Sequence, residues 1–310
     1  LFTSNINTHL NMKSHILTLF LLISSFLGYS QNDFSEDKDY QDMGFEFFIG
    51  GGAYWGSKVT AEYYNGAPYN ENNLDYILKN RYWYDEINRI IHDSYPQAMG
   101  DSIWIEDYPS NMRYKISFNI AIGFRYRFNK NWGLVLNNMV SRLTASDVFL
   151  LHFPTLEGNQ RNDYAIENII GKEDRFLIDL GVSYTMHPHK AIKPFFELGV
   201  QFNYLKVKEF KAVFEYNTQN EQEYNLLNLY QGSSYVPGMQ QGATNVIWGG
   251  PGFGFSGVFG VKILFNDDIS IDPLFYCSMS RFGLEGYKQF CFNYGVTVRL
   301  TMSDRAFLRK

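Results

Sequence analysis

The hydrophobic and polar positions of this chain fall repeatedly into a period of two. In "DRFLIDLGVSYTMHP" (174–188), Phe176, Ile178, Leu180, Val182, Tyr184 and Met186 alternate with Leu177, Asp179, Gly181, Ser183 and Thr185. Such alternation gives a strand one apolar face and one face of polar or small groups. Eight segments carry it: 44–56, 113–128, 132–143, 174–188, 194–207, 253–265, 269–282 and 289–302. The third is the least regular, because Asn138 interrupts its apolar face.

The spacing between these segments adds a second pattern. "NKN" (129–131), a turn around "HPHKAI" (187–192) and "NDD" (266–268) make three short connections, whereas 57–112, 144–173 and 208–252 are long and 283–288 is intermediate. Each segment has the length of about 9–11 residues that a tilted strand needs to cross a bilayer. Short turns on one side and long loops on the other are the arrangement of a transmembrane barrel. The predicted fold is therefore all-β, an eight-stranded antiparallel transmembrane β-barrel over residues 43–302 with long extracellular loops.

The charges decide which face meets lipid. Glu46, Lys115, Arg125, Arg127, Asp179, Glu197, Lys262, Asp272 and Arg299 occupy the polar faces. A Lys or Arg facing lipid at the midplane costs about 2–4 kcal/mol, so this face lines the lumen. The apolar face, with Phe118, Ile120, Ile122 and Phe124 in one strand and Phe196, Leu198, Val200 and Phe202 in another, is then the outer one. A secreted lipocalin-like barrel would reverse the faces and put water against a surface poor in Lys and Glu and rich in Gly. An eight-stranded interior is only wide enough for side chains, so Glu46, Arg125, Arg127, Asp179, Glu197, Lys262, Asp272 and Arg299 are expected to form a lumenal charge network that plugs the barrel.

Composition fits this picture. Of 310 residues 18% are aromatic and 19% charged, and the formal net charge of −5 supplies no basic footprint for nucleic acid. Tyr54, Trp55, Tyr126, Phe128, Trp132, Tyr184, Tyr204, Phe265 and Phe290 fall towards strand ends and read as interfacial girdles. From Met12, "MKSHILTLFLLISSFLGYSQ" has a basic start, an apolar run from Ile16 to Leu27 and small residues before Gln31, the layout of a secretory signal peptide. The expected organisation is upstream residues and signal peptide over 1–30, a periplasmic segment over 31–42, the barrel, and a periplasmic tail over 303–310, in the outer membrane.

With its eight alternating strands the chain resembles the small outer-membrane barrels of the OmpA, OmpX and OmpW type. In "FNYGVTVRL" (292–300) it is similar to the outer membrane beta-barrel domain family that includes PorT-like proteins. The resemblance implies a structural or surface-interaction barrel, with secretion accessory work as one branch, and implies no catalytic residue and no cofactor. A narrow small-solute conduit and a lipid-modifying enzyme are the alternatives. Partners are expected to be outer-membrane lipid and, through 57–112 and 208–252, a surface protein or glycan.

Several local signals carry less. "GGPGFGFSG" (249–257) has glycine spacings like a dinucleotide loop but leads into a strand where such a loop opens a helix. His92, Asp93 and Ser94 are contiguous, which a catalytic relay generally is not, and His152 stands alone. His187 and His189 lack acidic or thiol partners for a metal. Leu74, Ile77, Leu78, Ile87, Ile90 and Ile91 predict a short amphipathic helix over the barrel mouth. Alternation places Cys277 towards lipid and Cys291 in the lumen, which predicts two free thiols.

Overall fold

The computed structural model describes residues 43–70, 72–98, 102–155, 163–186, 191–216, 220–227, 249–266 and 268–304. The signal peptide, the segment 31–42, residues 305–310 of the tail and the pair His187 and His189 lie outside the described residues. Among the described residues ten strands form: β1 (Gly44–Trp55), β2 (Trp104–Asp107), β3 (Ser117–Arg127), β4 (Trp132–His152), β5 (Tyr164–Thr185), β6 (Ile192–Tyr216), β7 (Asn220–Asn225), β8 (Gly249–Leu264), β9 (Ile269–Arg281) and β10 (Cys291–Ser303). Eight of them close in the order β4-β3-β1-β10-β9-β8-β6-β5, with β5 returning to β4, and every pairing is antiparallel. A closed ring leaves no strand edge in the membrane, where unpaired backbone groups are costly.

Two of the short turns share one device. Asn129 accepts hydrogen bonds through Oδ1 from the N–H groups of Asn131 (2.9 Å) and Trp132 (2.6 Å), and Asn266 does the same for Asp268 (2.9 Å) and Ile269 (2.7 Å). An Asn side chain that captures the backbone ahead of it folds the chain back locally.

The apolar face is the outer one. Phe118, Ile120, Ile122, Phe124, Phe176, Ile178, Leu180, Leu198, Val200 and Phe202 are exposed, while the alternate residues are buried. A continuous apolar exterior around a polar interior requires lipid as its solvent, so this is a transmembrane β-barrel of the outer-membrane kind. Cys277 faces outward and Cys291 is buried inside, and both are free thiols.

Two residues lie elsewhere than alternation predicted. Lys115 is exposed at the rim rather than in the lumen, because β3 begins only at Ser117 and the in-and-out phase does not extend back to residue 115. Tyr54 belongs to no girdle; it is fully buried inside the barrel.

The larger difference concerns the loops. The span 144–173 is no loop over most of its length: β4 and β5 stay paired from Trp132↔Tyr184 to His152↔Tyr164. Likewise β6 continues to Tyr216 and turns back as β7, while β2 adds to β4. These extensions form an open sheet beyond the membrane, and there the faces exchange roles. Phe149, Leu151, Ala165, Ile169, Phe210, Ala212 and Phe214 turn inward and are buried, whereas Arg142, Lys172, Lys208 and Glu209 turn outward. Water has replaced lipid as the outer solvent.

The first connection covers the inner face of that sheet. It folds as α1 (Lys58–Ala61), a 3-10 turn (Glu62–Tyr64), α2 (Asp75–Lys79) and α3 (Arg81–Ser94). The apolar spacing predicted one helix, but Asn80 divides it, capping α3 by accepting from Tyr82 N–H (3.1 Å) and Trp83 N–H (3.4 Å). On α3, Trp83, Ile87, Ile90 and Ile91 form one buried stripe. Trp83 meets Tyr224 edge-on at 5.4 Å, Tyr224 meets Phe214 at 5.2 Å, and Phe214 meets Phe149 at 5.7 Å, a chain of rings that ties helix to sheet.

Candidate functional site

The lumen is filled in three layers. Nearest the short turns, Glu46 of β1 meets Arg125 (2.8 Å) and Arg127 (3.1 Å) of β3 and Lys262 of β8 (2.5 Å). Glu197 of β6 meets Arg125 (2.5 Å) and Arg299 of β10 (3.0 Å). All six are buried, and two guanidinium groups lie on aromatic rings, Arg125 5.0 Å from the Phe195 centroid and Arg299 4.3 Å from that of Phe48. Asp272 is buried among them but takes neutral donors, the hydroxyls of Ser270 (2.8 Å) and Thr301 (2.8 Å). Lys193, not singled out from sequence, is also buried here and faces Lys262 in register. Gly260 leaves the slot for Phe195, since a Cβ there would lie 2.7 Å from that ring.

The middle layer is polar and nearly neutral. Asp179 belongs to it and makes no ion pair among the described residues: it accepts from Asn137 Nδ2 (3.0 Å) and Gln201 Nε2 (2.8 Å), and Gln201 also bonds Tyr276 and Ser280. Asn119 of β3 and Thr297 of β10 bond to each other over Gly52 of the intervening β1. A void of about 10 Å³ lined by Asn137, Asp179 and Ser256 has room for one water.

The outer layer was not anticipated from sequence. Arg175 is fully buried and donates to Glu173 Oε1 (2.6 Å), Asn293 Oδ1 (2.9 Å) and Thr60 Oγ1 (2.9 Å), with Phe282 beneath its guanidinium at 4.1 Å. Tyr64 of the first connection donates to Glu173 Oε2 (2.7 Å). The connection therefore reaches down into the mouth and bonds the barrel wall. Alternation along β5 held the signal, since residues 173 and 175 share the inward parity of Asp179, but nothing in sequence showed that 57–64 would supply their partners.

Gly171 admits this cap. A Cβ on Gly171 would lie 2.2 Å from the Tyr64 ring. Gly171→Val is expected to displace Tyr64 and speed limited proteolysis of residues 57–112 at least tenfold while the barrel keeps its folded mobility on unheated gels. Equal proteolysis of variant and parent is the contrary result.

One titratable group of the extracellular sheet stands apart from the membrane-spanning rows. Glu167 accepts from the Glu215 N–H (3.0 Å), yet burial, with the nearby Glu215 carboxylate adding to it, pushes its acid up to about 8 from an ordinary 4.5. The folded sheet thus holds a proton that the unfolded chain releases. This contribution is complete below about pH 4.5 and declines as pH rises towards 8, by a few kcal/mol in order of magnitude. Hydrogen exchange at residues 164–170 is expected to quicken between pH 5 and 8 beyond its intrinsic pH dependence, and Glu167→Gln is expected to remove that excess.

The residues weighed for chemistry do not assemble. His92, Asp93 and Ser94 end α3. His152 stacks on Trp104 at 4.1 Å and meets Asp163 at 3.5 Å. Residues 249–257 lie within β8 and precede no helix. No group of three His, Cys, Asp or Glu suited to a metal occurs among the described residues.

No family model matches the chain, and no curated protein matches it. Solved structures of related shape include small outer-membrane barrels. Neisserial surface protein A gives a TM-score of 0.38 at 7% identity over 84% of this chain and 96% of that one. The outer membrane protein OprG from Pseudomonas aeruginosa gives 0.36 at 9% identity over 86% and 97%. Ail of Yersinia pestis, in complex with the heparin analogue sucrose octasulfate, gives 0.30 at 9% identity over 84% and 99%. The barrel assignment rests on the closed register and the apolar exterior of this chain.

Proposed function

We propose that the protein is a non-conducting outer-membrane barrel that presents an ordered extracellular sheet for interaction with a surface protein or glycan. The observation that carries this reading is the filled lumen: an ion-pair layer, a polar layer and a cap bonded to Arg175 and Glu173 leave the exterior as the working surface. On the outward face of the sheet Trp104, Val148, Tyr164 and Ile166 are exposed beyond the membrane, with Ile166 at 62%. Apolar groups gathered in one such patch mark interaction surfaces.

Secretion accessory work is one form such an interaction takes. Deletion of the protein in its native organism, followed by comparison of secreted and surface proteins, tests the reading. Restoration by the parent but not by a Trp104→Ser/Ile166→Ser variant of equal abundance is expected. Full restoration by that variant contradicts the role of the patch, and discrete conductance steps of the purified parent in planar bilayers contradict the closed lumen.

A further inference from the structure

We infer that the outward face of β4, β5 and β6, just above the lipid-facing belt, is a binding site for the phosphorylated glycolipid of the outer leaflet. The last lipid-facing row on this arc is Val140–Phe176–Tyr204, joined in register and exposed. The next row is Arg142–Asp174–Lys206, followed by Thr144–Lys172–Glu209 with Lys208 beside the bulge, and then by Ser146–Ile170–Lys211. Four cations, Arg142, Lys206, Lys172 and Lys208, thus stand in the two rows over the hydrocarbon boundary, with Lys211 one row higher.

The carboxylates among them are shared and outnumbered. Asp174 lies 2.7 Å from Arg142 and 3.5 Å from Lys208. Glu209 lies 2.8 Å from Lys172 and 3.9 Å from Lys211. Lys206 makes no ion pair among the described residues. Glu223 adds a third acid, on Lys211, so three acids face five cations and leave a net positive surface. Higher up the sign reverses: Glu223 faces Val213 and bonds down to Lys211 (2.5 Å), and Glu215 faces Glu221.

Depth selects the ligand. Each step of two residues rises about 6.8 Å along a strand, or about 5 Å along the axis of a barrel whose strands tilt by about 40°. The first two cationic rows begin where the hydrocarbon ends and cross the headgroup layer, which is about 5–8 Å thick on each side, and the third, with Lys211, stands above it. A phosphate attached to a lipid is held at that depth by its own acyl chains, which pack on Phe176 and Tyr204. The outward side chains Arg142 and Lys208 are open to it, with 69% and 39% of their side-chain surface exposed. The inference rests on the orientation that puts the long connections outside the cell, which protease cleavage within 220–227 on intact cells checks separately.

The test uses the full chain folded in detergent micelles and bisphosphorylated lipid A as the probe. The Lys172→Gln/Lys206→Gln/Lys208→Gln variant keeps the folded gel mobility and is expected to bind lipid A on the order of 100-fold more weakly, about fivefold per cation. Dephosphorylated lipid A is expected to bind the parent as weakly as lipid A binds the variant, while Glu215→Gln/Glu221→Gln leaves lipid A binding unchanged. Equal binding by parent and triple variant overturns the inference. Displacement of lipid A by inorganic phosphate at similar concentration also overturns it, since the site would then hold a free anion without using the membrane.

Discussion

Arg175→Met is expected to destabilise the folded protein by about 3–5 kcal/mol, because it removes the cation that pairs with Glu173 among the described residues and leaves that carboxylate buried. The methionine side chain fills much of the volume over Phe282, so the loss is electrostatic rather than a cavity. Three further bonds disappear, to Thr60, Asn293 and the Tyr54 hydroxyl, and with the first of them goes a tie between the cap and the wall. Urea unfolding in lipid vesicles measures the effect. The Glu173→Gln/Arg175→Met double variant is expected to recover at least half of it, since a neutral amide still accepts from Tyr64 without needing a counter-charge. No recovery in the double variant is the result that contradicts this account and points to packing alone.

Glu46→Gln is expected to cost at least as much. Its carboxylate contacts Arg125, Arg127 and Lys262, so the neutral amide leaves three buried cations with Glu197 and Asp272 as the nearby acids. Like charges in a dry interior then repel without a partner between them, and the penalty of a broken buried pair, about 3–5 kcal/mol, is the lower bound. Loss of the heat-resistant folded band at lower temperature than the parent measures it. Lys262→Met in the Glu46→Gln background removes one stranded cation and is expected to restore part of the stability. Further loss in that double variant contradicts the assignment of Glu46 as the shared anion.

Part of this architecture is legible because the bilayer imposes a strict rule on each strand separately. Ile120, Ile122, Phe124 on β3 and Ile178, Leu180, Val182 on β5 must face lipid, so the parity of Arg125, Asp179, Glu197 and Arg299 follows from their neighbours in the chain. What alternation cannot supply is partnership. Asp179 and Arg125 share an inward parity, yet one is held by amides and the other by two carboxylates, because depth and register, not parity, decide which side chains meet.

The extracellular part was hidden by a change of solvent within single strands. Along β5, Phe176, Ile178 and Leu180 face out at even positions, and nine to eleven residues earlier Ala165, Ile169 and Gly171 carry the small or apolar side at odd positions. Past the hydrocarbon the outer face meets water, so the apolar set exchanges parity; in sequence this looks like an end of the strand. The mouth was hidden for a different reason. Thr60 and Tyr64 lie more than a hundred residues from Glu173 and Arg175, and closing the ring is what brings them together.

By itself the sequence determined the eight spanning strands, which face meets lipid, and the free state of Cys277 and Cys291, because each follows from period-two alternation against a known solvent. Only the tertiary structure decided that β4, β5 and β6 continue as an extracellular sheet, that the first connection seals the lumen on Arg175, and that five cations align above the belt. Those features depend on contacts between residues distant in sequence, and the free energy of such contacts is set by register and closure, which no single strand contains.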